Sequence, residues 1–571
     1  MAYLNFKSQY DRFPETKIER YQDQAFENAE AIVRELQKIC SGIVCFEIYP
    51  GCNKEKLYQS IINKLEADRK IDVEEYTKPA EELEKQFAYN LTEDRVFGVY
   101  SHHTIEDYYD LPRLEKLKKE LKNTTGLIIT YGFGASLLPY DHLVLVSITR
   151  WEIQLRYREG LTNFKVNNPN EDNLRKYKRG YFLEWRVADR IKEKHFLKAE
   201  YLIDDTDRNT LKMVTKTAYE YALDYMVRKP FRMVPYFDPG VWGGQWMKEV
   251  CNLDPSAPNY AWCFDGVPEE NSIRYRFNNT LIEFPAQDLL LYRARTLLGD
   301  RVHGRFGKQF PIRFDLLDTM DGENLSLQVH PLTEYIQDKF GMTYTQDESY
   351  YIMDAEEDGT VYLGLKENIN PEAMKADLLA SQTTGEFDAE KYVNVFPVKK
   401  HDHISIPGGT VHCSGRNTLV LEISACVYIF TFKLWDWGRL GLDGKPRPVH
   451  LEHGFNSIQF DRNTSWVKKN LINPLKRLND YEEITGLHER EFLETRRYTF
   501  TEAIEIPTFG SVNMGNLVQG EAAIIESVDG SFEPLEIHYA ETFVIPASIG
   551  SFRIYSKDSR QECKIIMAHV R

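Results

Sequence analysis

Gln328, His330, Glu348 and His412 are the residues whose types and spacing point most directly to chemistry. Residues i and i+2 of a strand share a face. Gln328 and His330, in Ser326-Leu327-Gln328-Val329-His330, therefore project together into a barrel interior while Val329 turns away. His412 ends Pro407-Gly408-Gly409-Thr410-Val411-His412, a P-x-G-x-x-H arrangement whose Pro and Gly turn the chain so that the next strand faces the first pair. Glu348 opens a β-prone run, Ser349-Tyr350-Tyr351-Ile352-Met353, and supplies the anionic ligand. Two imidazoles, a carboxylate and an amide oxygen with an open position suit zinc, and manganese, iron and cobalt stay open. A lone histidine beside a Pro-Gly turn is usually just hydrogen-bonded, so the combination carries the reading. His401 and His403 form a second i, i+2 pair, read as strand-entry residues beside Lys399 and Lys400.

The elements that must position these residues fall into three zones. Up to about residue 225, apolar runs such as 43–48, 126–131 and 142–147 alternate with charged helical stretches such as 112–123. That alternation predicts an α/β domain with a parallel sheet. From 226 to 450 the apolar runs are short and bounded by turn residues, as in 326–330, 360–364 and 419–423, which predicts an all-β sandwich or barrel. A helical interruption is expected over 371–381, opened by Asn370 as N-cap. The zone from 451 to 571 ends in further short strands, including 543–547 and 564–567.

Composition narrows the function. At 571 residues the chain exceeds one ordinary core and suggests three or four units at about 150 residues each. A formal charge of -16 argues against a nucleic-acid partner, which needs a positive footprint. It leaves room for a phosphorylated small substrate. The polar stretch from Met1 to Arg20 has no signal-peptide core, and no apolar run spans a bilayer. The 8 cysteines form no CxxC pair, which fits a reducing, cytoplasmic setting.

Leu325-Ser326-Leu327-Gln328-Val329-His330-Pro331 resembles the L-S-x-Q-V-H-P signature of type I mannose-6-phosphate isomerases. In that family the Gln and His are zinc ligands, joined by a Glu and by the His of the P-x-G-x-x-H turn. The resemblance places these roles on Gln328, His330, Glu348 and His412 in the same order, with one zinc ion per chain. It extends upstream to Pro235 and Trp242-Gly243-Gly244. Downstream it runs through Leu421-Glu422 to Trp435-Asp436-Trp437-Gly438-Arg439 and Gly444-Lys445-Pro446-Arg447, covering roughly 230 to 455. The implied fold is two cupin-type all-β barrels, the first metal-binding with a helical insertion. The second, 451–571, carries His538 and His569 toward its end but no ligand set, and is expected to be metal-free.

The reaction so implied interconverts mannose 6-phosphate and fructose 6-phosphate through a cis-enediol, with a hexose phosphate as partner. Lys433 and Arg439 are the expected catalytic cations, and Arg447 and Lys366 the expected substrate contacts. Two positions depart from the family: Gln346 stands where many members carry Lys, and Lys433 where an Arg is expected. Gln cannot take either protonation role of Lys, and Lys lacks the guanidinium fork. The alternative function is a sugar- or nucleotide-responsive binding protein that keeps its metal without turnover. A homo-oligomer is compatible with either.

Residues 1–225 lie outside that resemblance. Their segment 45–56, Cys45 to Lys56, looks like the first strand and phosphate loop of a P-loop nucleoside kinase. The second Gly and the Ser/Thr of G-x-x-x-x-G-K-[ST] are missing. Tyr131 to Ser136 and Tyr140 to Val144, ahead of Arg150, Arg156 and Arg158, echo the same pattern. The expectation is a degenerate domain without phosphoryl transfer, serving as scaffold, regulator or oligomerisation element.

Overall fold

The computed structural model describes residues 2–571 except 124, 427, 487, 489 and 490. The chain forms two compact units, and both are discontinuous in sequence. One comprises 15–225 with 272–292; the other comprises 1–14, 226–271 and 293–571. Among the described residues no helix is long and apolar enough to cross a membrane.

The unit built on 15–225 contains a seven-stranded sheet. Its strands are β1 (Ala25–Glu27), β2 (Ile43–Ile48), β3 (Arg69–Asp72), β4 (Ile128–Gly132), β5 (His142–Ser147), β6 (Tyr201–Asp204) and β7 (Lys212–Thr215). Their order is β1-β7-β6-β5-β2-β4-β3. The five strands from β3 to β6 are parallel, whereas β7 runs antiparallel to both of its neighbours, β6 and β1, so the sheet is mixed rather than purely parallel. β2 and β5 are near-continuous apolar runs because helices cover both faces of a parallel sheet. Val44, Phe46, Val144, Val146 and Ile203 pack there against Ile32, Leu36 and Leu57. Residues 272–292 add Ser272–Phe277 and Thr280–Pro285, which pair with each other, and Glu15–Lys17 joins the first of them in parallel.

The other unit holds four sheets. Its first pair uses β8 (Tyr236–Asp238), β9 (Trp262–Gly266), β10 (Arg313–Asp318), β11 (Leu327–Val329), β12 (Glu348–Ala355) and β13 (Thr360–Leu365). It is completed by β14 (Val393–Pro397), β15 (His403–Ile406), β16 (His412–Ser414), β17 (Thr418–Ser424) and β18 (Phe432–Trp435). One sheet runs β15-β12-β17-β10-β9-β8 and the other β14-β13-β16-β11-β18. The expected closed barrel is therefore an open double sheet. The strand orders end at β8 and β15 in one sheet and at β14 and β18 in the other, and no ladder among the described residues joins the two sheets. The helical interruption runs from Pro371 to Thr384. Asn370 caps it by accepting the N–H groups of Glu372 and Ala373, and Gly385 ends it in the left-handed region.

Residues 476–570 form a six-stranded and a four-stranded sheet with the same open construction. Their interior is an apolar cluster that includes Tyr498, Phe500, Leu517, Ile525, Phe543, Phe552 and Ile565.

Candidate metal centre

Register brings the candidate donors together. In the five-stranded sheet His412 lies opposite Gln328, and Gln328 opposite Lys433, so one row across β16, β11 and β18 presents all three side chains to one face. In the six-stranded sheet Glu348 and Arg313 both pair with Ser424. One step along, Tyr350 and Asp315 both pair with Glu422. The i, i+2 alternation puts both rows on one face. Glu348 meets the two histidines across the interior, His330 Nε2 at 3.0 Å and His412 Nε2 at 2.8 Å.

The outer ring nitrogens are fixed by the backbone. His330 Nδ1 lies 3.0 Å from the carbonyl of Phe430, and His412 Nδ1 lies 2.8 Å from that of Thr410. Each Nδ1–H donates to its carbonyl, which aims Nε2 inward at Glu348. His330 Nε2 and Glu348 Oε1 are buried without a hydrogen-bond partner of acceptable geometry. One ligand atom from each of His330, Glu348 and His412 falls within 4.8 Å of the others. The Gln328 amide Nε2 lies 3.3 Å from His412 Nε2, and the oxygen of the same amide would face this point with the group turned over. This donor set fits a divalent metal ion held by nitrogen and oxygen ligands.

The electrostatics agree with that arrangement. Burial would raise the Glu348 carboxyl, but His330 and His412 hold it well below the usual carboxylate range. Burial opposes charge on His330, and Glu348 outweighs it, so His330 sits above its ordinary value. Behind them Glu422 is raised well above the carboxylate range by burial and by the nearby Asp315 and Glu348. Asp315 is pushed up to about 6 by burial, against the pull of Arg313.

The other expected site residues are placed differently. Lys433 shares the row of Gln328, as above. Arg439 and Arg447 converge on the Asp436 carboxylate, at 2.6 and 2.7 Å, and Arg447 also donates to Ser326 Oγ at 3.2 Å. Their charge is thus partly spent within the chain, and burial lowers Arg447. Arg439 Nη1 is buried without a hydrogen-bond partner. Lys366 is exposed and donates to the Glu390 carbonyl, a strand-end position outside the donor row. His403 faces away from the centre. It pairs with Tyr351 across the strands, its Nε2 meets Ser349 Oγ at 2.9 Å, and burial lowers it to about 3. His401 bonds the Tyr351 hydroxyl and Gln519.

Asp315 and Glu422 escaped the sequence reading as functional groups, and Gln346 entered it only as a departure from the family's Lys. Gln346 donates from Nε2 to Glu348 Oε2 at 3.0 Å and to Glu422 Oε1 at 3.2 Å, while its Oε1 accepts the Phe430 N–H at 2.8 Å. Asp315 and Glu422 stand opposite each other on β10 and β17. A signal was present for both: each is a carboxylate inside an otherwise apolar strand, where burial without a role is costly.

Residues 28–228 match a family model described as a domain of unknown function, DUF8485. The chain is 27% identical over 235 residues to mannose-6-phosphate isomerase ManA of Bacillus subtilis, covering 41% of this chain and 69% of that protein. It is 25% identical over 220 residues to the mannose-6-phosphate isomerase of Streptococcus mutans, covering 38% of this chain and 64% of the relative. A solved structure of the mannose 6-phosphate isomerase from Bacillus subtilis superposes with a TM-score of 0.49 at 19% identity, over 60% of this chain and 99% of that one.

Proposed function

We propose that this chain is a metal-dependent aldose-ketose isomerase acting on a hexose 6-phosphate, with mannose 6-phosphate and fructose 6-phosphate as its pair. The observation that carries the reading is the convergence of two backbone-tethered imidazoles on one buried carboxylate. The two curated relatives named above, both mannose-6-phosphate isomerases, support the substrate class.

His330, His412, Glu348 and Gln328 would hold the ion, with zinc the metal that best suits two imidazoles, a carboxylate and an amide. A bound divalent ion supplies Lewis-acid polarisation or orientation of sugar oxygens. The chain's own groups carry the rest. Lys433, in the row of Gln328, places an ammonium where negative charge develops on the enediol oxygens. Asp315 and Glu422 face each other in a buried setting that favours one shared proton, because two adjacent carboxylates resist double ionisation. One of the pair takes the proton from C2 and returns it to C1, the transfer that a cis-enediol requires. Arg439, with its unpartnered Nη1, and Arg447 are the candidate phosphate contacts, held in place by Asp436. Lys366 stays outside this assignment.

A coupled assay following fructose 6-phosphate formed from mannose 6-phosphate tests the proposal. Turnover should vanish with chelator and return with zinc. One equivalent of bound zinc with no turnover on any hexose phosphate would instead favour a sugar-responsive binding protein.

A further inference from the structure

Strand β12 carries a second polar group to the interior of the double sheet, two residues beyond Glu348. Period-two alternation turns Tyr350 to the same face as Glu348. In the six-stranded sheet Tyr350 pairs with Glu422, which pairs in turn with Asp315, so the phenol stands in the row of the two facing carboxylates. Its ring meets that of His412 edge-on, with centroids 5.8 Å apart and planes at 75°. Tyr350 is 0% exposed, and its hydroxyl is buried without a hydrogen-bond partner.

A phenylalanine would fill the same space at less cost, because a buried hydroxyl that bonds to nothing forfeits the bonds it made to water. Acceptors lie nearby. Burial first, and then Glu348 and Glu422, raise the phenol well above its ordinary value, so it keeps its proton. Yet those carboxylates take their hydrogen bonds from the Gln346 amide, at 3.0 Å to Glu348 and 3.2 Å to Glu422. The O–H of Tyr350 is left as a spare donor among acceptors already served.

We propose that the Tyr350 hydroxyl is a catalytic hydrogen-bond donor to a sugar oxygen at C1 or C2, acting from the sheet opposite Lys433. This assignment rests on the isomerase reading above. An enediol carries two adjacent oxygens, and negative charge gathers on them as aldose passes to ketose. Lys433 belongs to the five-stranded sheet and Tyr350 to the six-stranded one, so the two oxygens are served from opposite layers. No proton leaves the phenol in this role, and the transfer from C2 to C1 stays with Asp315 and Glu422.

Tyr350→Phe tests the proposal in two ways. Thermal unfolding of the metal-free full chain should give a Tm at or above that of the wild type, since the variant removes a hydroxyl that had no bond to lose. A Tm below the wild-type value would show the hydroxyl bonded within the chain and would overturn the proposal. In the coupled mannose 6-phosphate assay the zinc-loaded variant should lose about 100-fold in kcat, with KM and bound zinc unchanged. Activity lost in step with zinc would count against a donor and place the effect at the His412 ring. A variant as active as a working wild type would remove Tyr350 from catalysis and leave the isomerase reading standing. A wild type that turns over no hexose phosphate would remove both.

Discussion

Around Glu348 the rings of His330 and His412 turn Nε2 inward, and both meet the same carboxylate. Around Asp205 the Lys56 ammonium, the Arg156 guanidinium and the Asn53 N–H are each satisfied by one carboxylate. Both clusters are polar and centre on a buried carboxylate, yet the first is left short of partners and the second is complete. A buried polar group without a partner costs about 1–3 kcal/mol, so a fold keeps such groups where a ligand will supply the missing bond. His330 Nε2, Glu348 Oε1 and Arg439 Nη1 are buried without a hydrogen-bond partner. The donors around Asp205 are satisfied within the chain.

The largest expected effect lies in the first cluster. Glu348→Gln keeps the shape but removes the anion that both imidazoles share. It should weaken metal binding by more than the about 10–100-fold that an outer-shell change costs, and isomerisation should fall with it. Metal analysis after dialysis checks this, and unchanged metal content would break the contrast between the clusters. Lys433→Met comes next. It should leave the metal content intact while lowering kcat/KM by about 100-fold or more, the usual cost of losing a donor aimed at developing negative charge. A variant with normal kcat/KM would move the stabilising charge to the Asp436 cluster.

Much of this centre was legible because strands have a period of two. Gln328 and His330 sit two residues apart, and a Pro-Gly turn sets His412 on the facing strand, so spacing alone implied a shared interior. The Asn370 cap was legible for a similar reason, since an Asn ahead of Pro371 is a local signal. Groupings made by tertiary register were hidden. Nothing local says that Glu422 faces Asp315, or that Asp436 draws Arg439 and Arg447 onto itself. The discontinuous units were hidden too, because residues 272–292 join the earlier unit through strand pairing far along the chain. The same holds for barrel closure. Short strands with turn signals fit a barrel and an open double sheet equally, and only the hydrogen-bond ladder separates them.

In the parallel-sheet unit the contrast is sharpened by pH. Burial pushes Glu47 up to about 7, although it accepts two loop N–H groups. An unfolded Glu titrates near about 4.3. Between these values the folded state holds more protons than the unfolded state, so stability falls as pH rises. The contribution is fully present below the unfolded value and is lost by about pH 7, at up to about 3 kcal/mol. Urea unfolding between pH 4.5 and 7.5 should show this slope, and Glu47→Gln should flatten it. A slope unchanged in the variant would assign the pH dependence to other buried acids, such as Asp204, which burial also raises to about 7.

The smallest effect, and the most discriminating, belongs to Gln346. Its amide joins Glu348 to the facing pair of Glu422 and Asp315, donating to Glu348 and Glu422 while accepting the Phe430 N–H. Phe430 in turn supplies the carbonyl that orients His330. Gln346→Ala removes three bonds from the shell around the centre without touching a metal donor. Metal affinity should drop by about 10–100-fold. A lysine at this position would bring a charge to the same two carboxylates, and Gln346→Lys should therefore restore metal binding while shifting the pH profile of kcat to lower values, since a cation favours the ionised carboxylate. If Gln346→Ala instead binds metal normally, the orientation of Glu348 rests on the two imidazoles alone, and the amide serves only to hold Glu422.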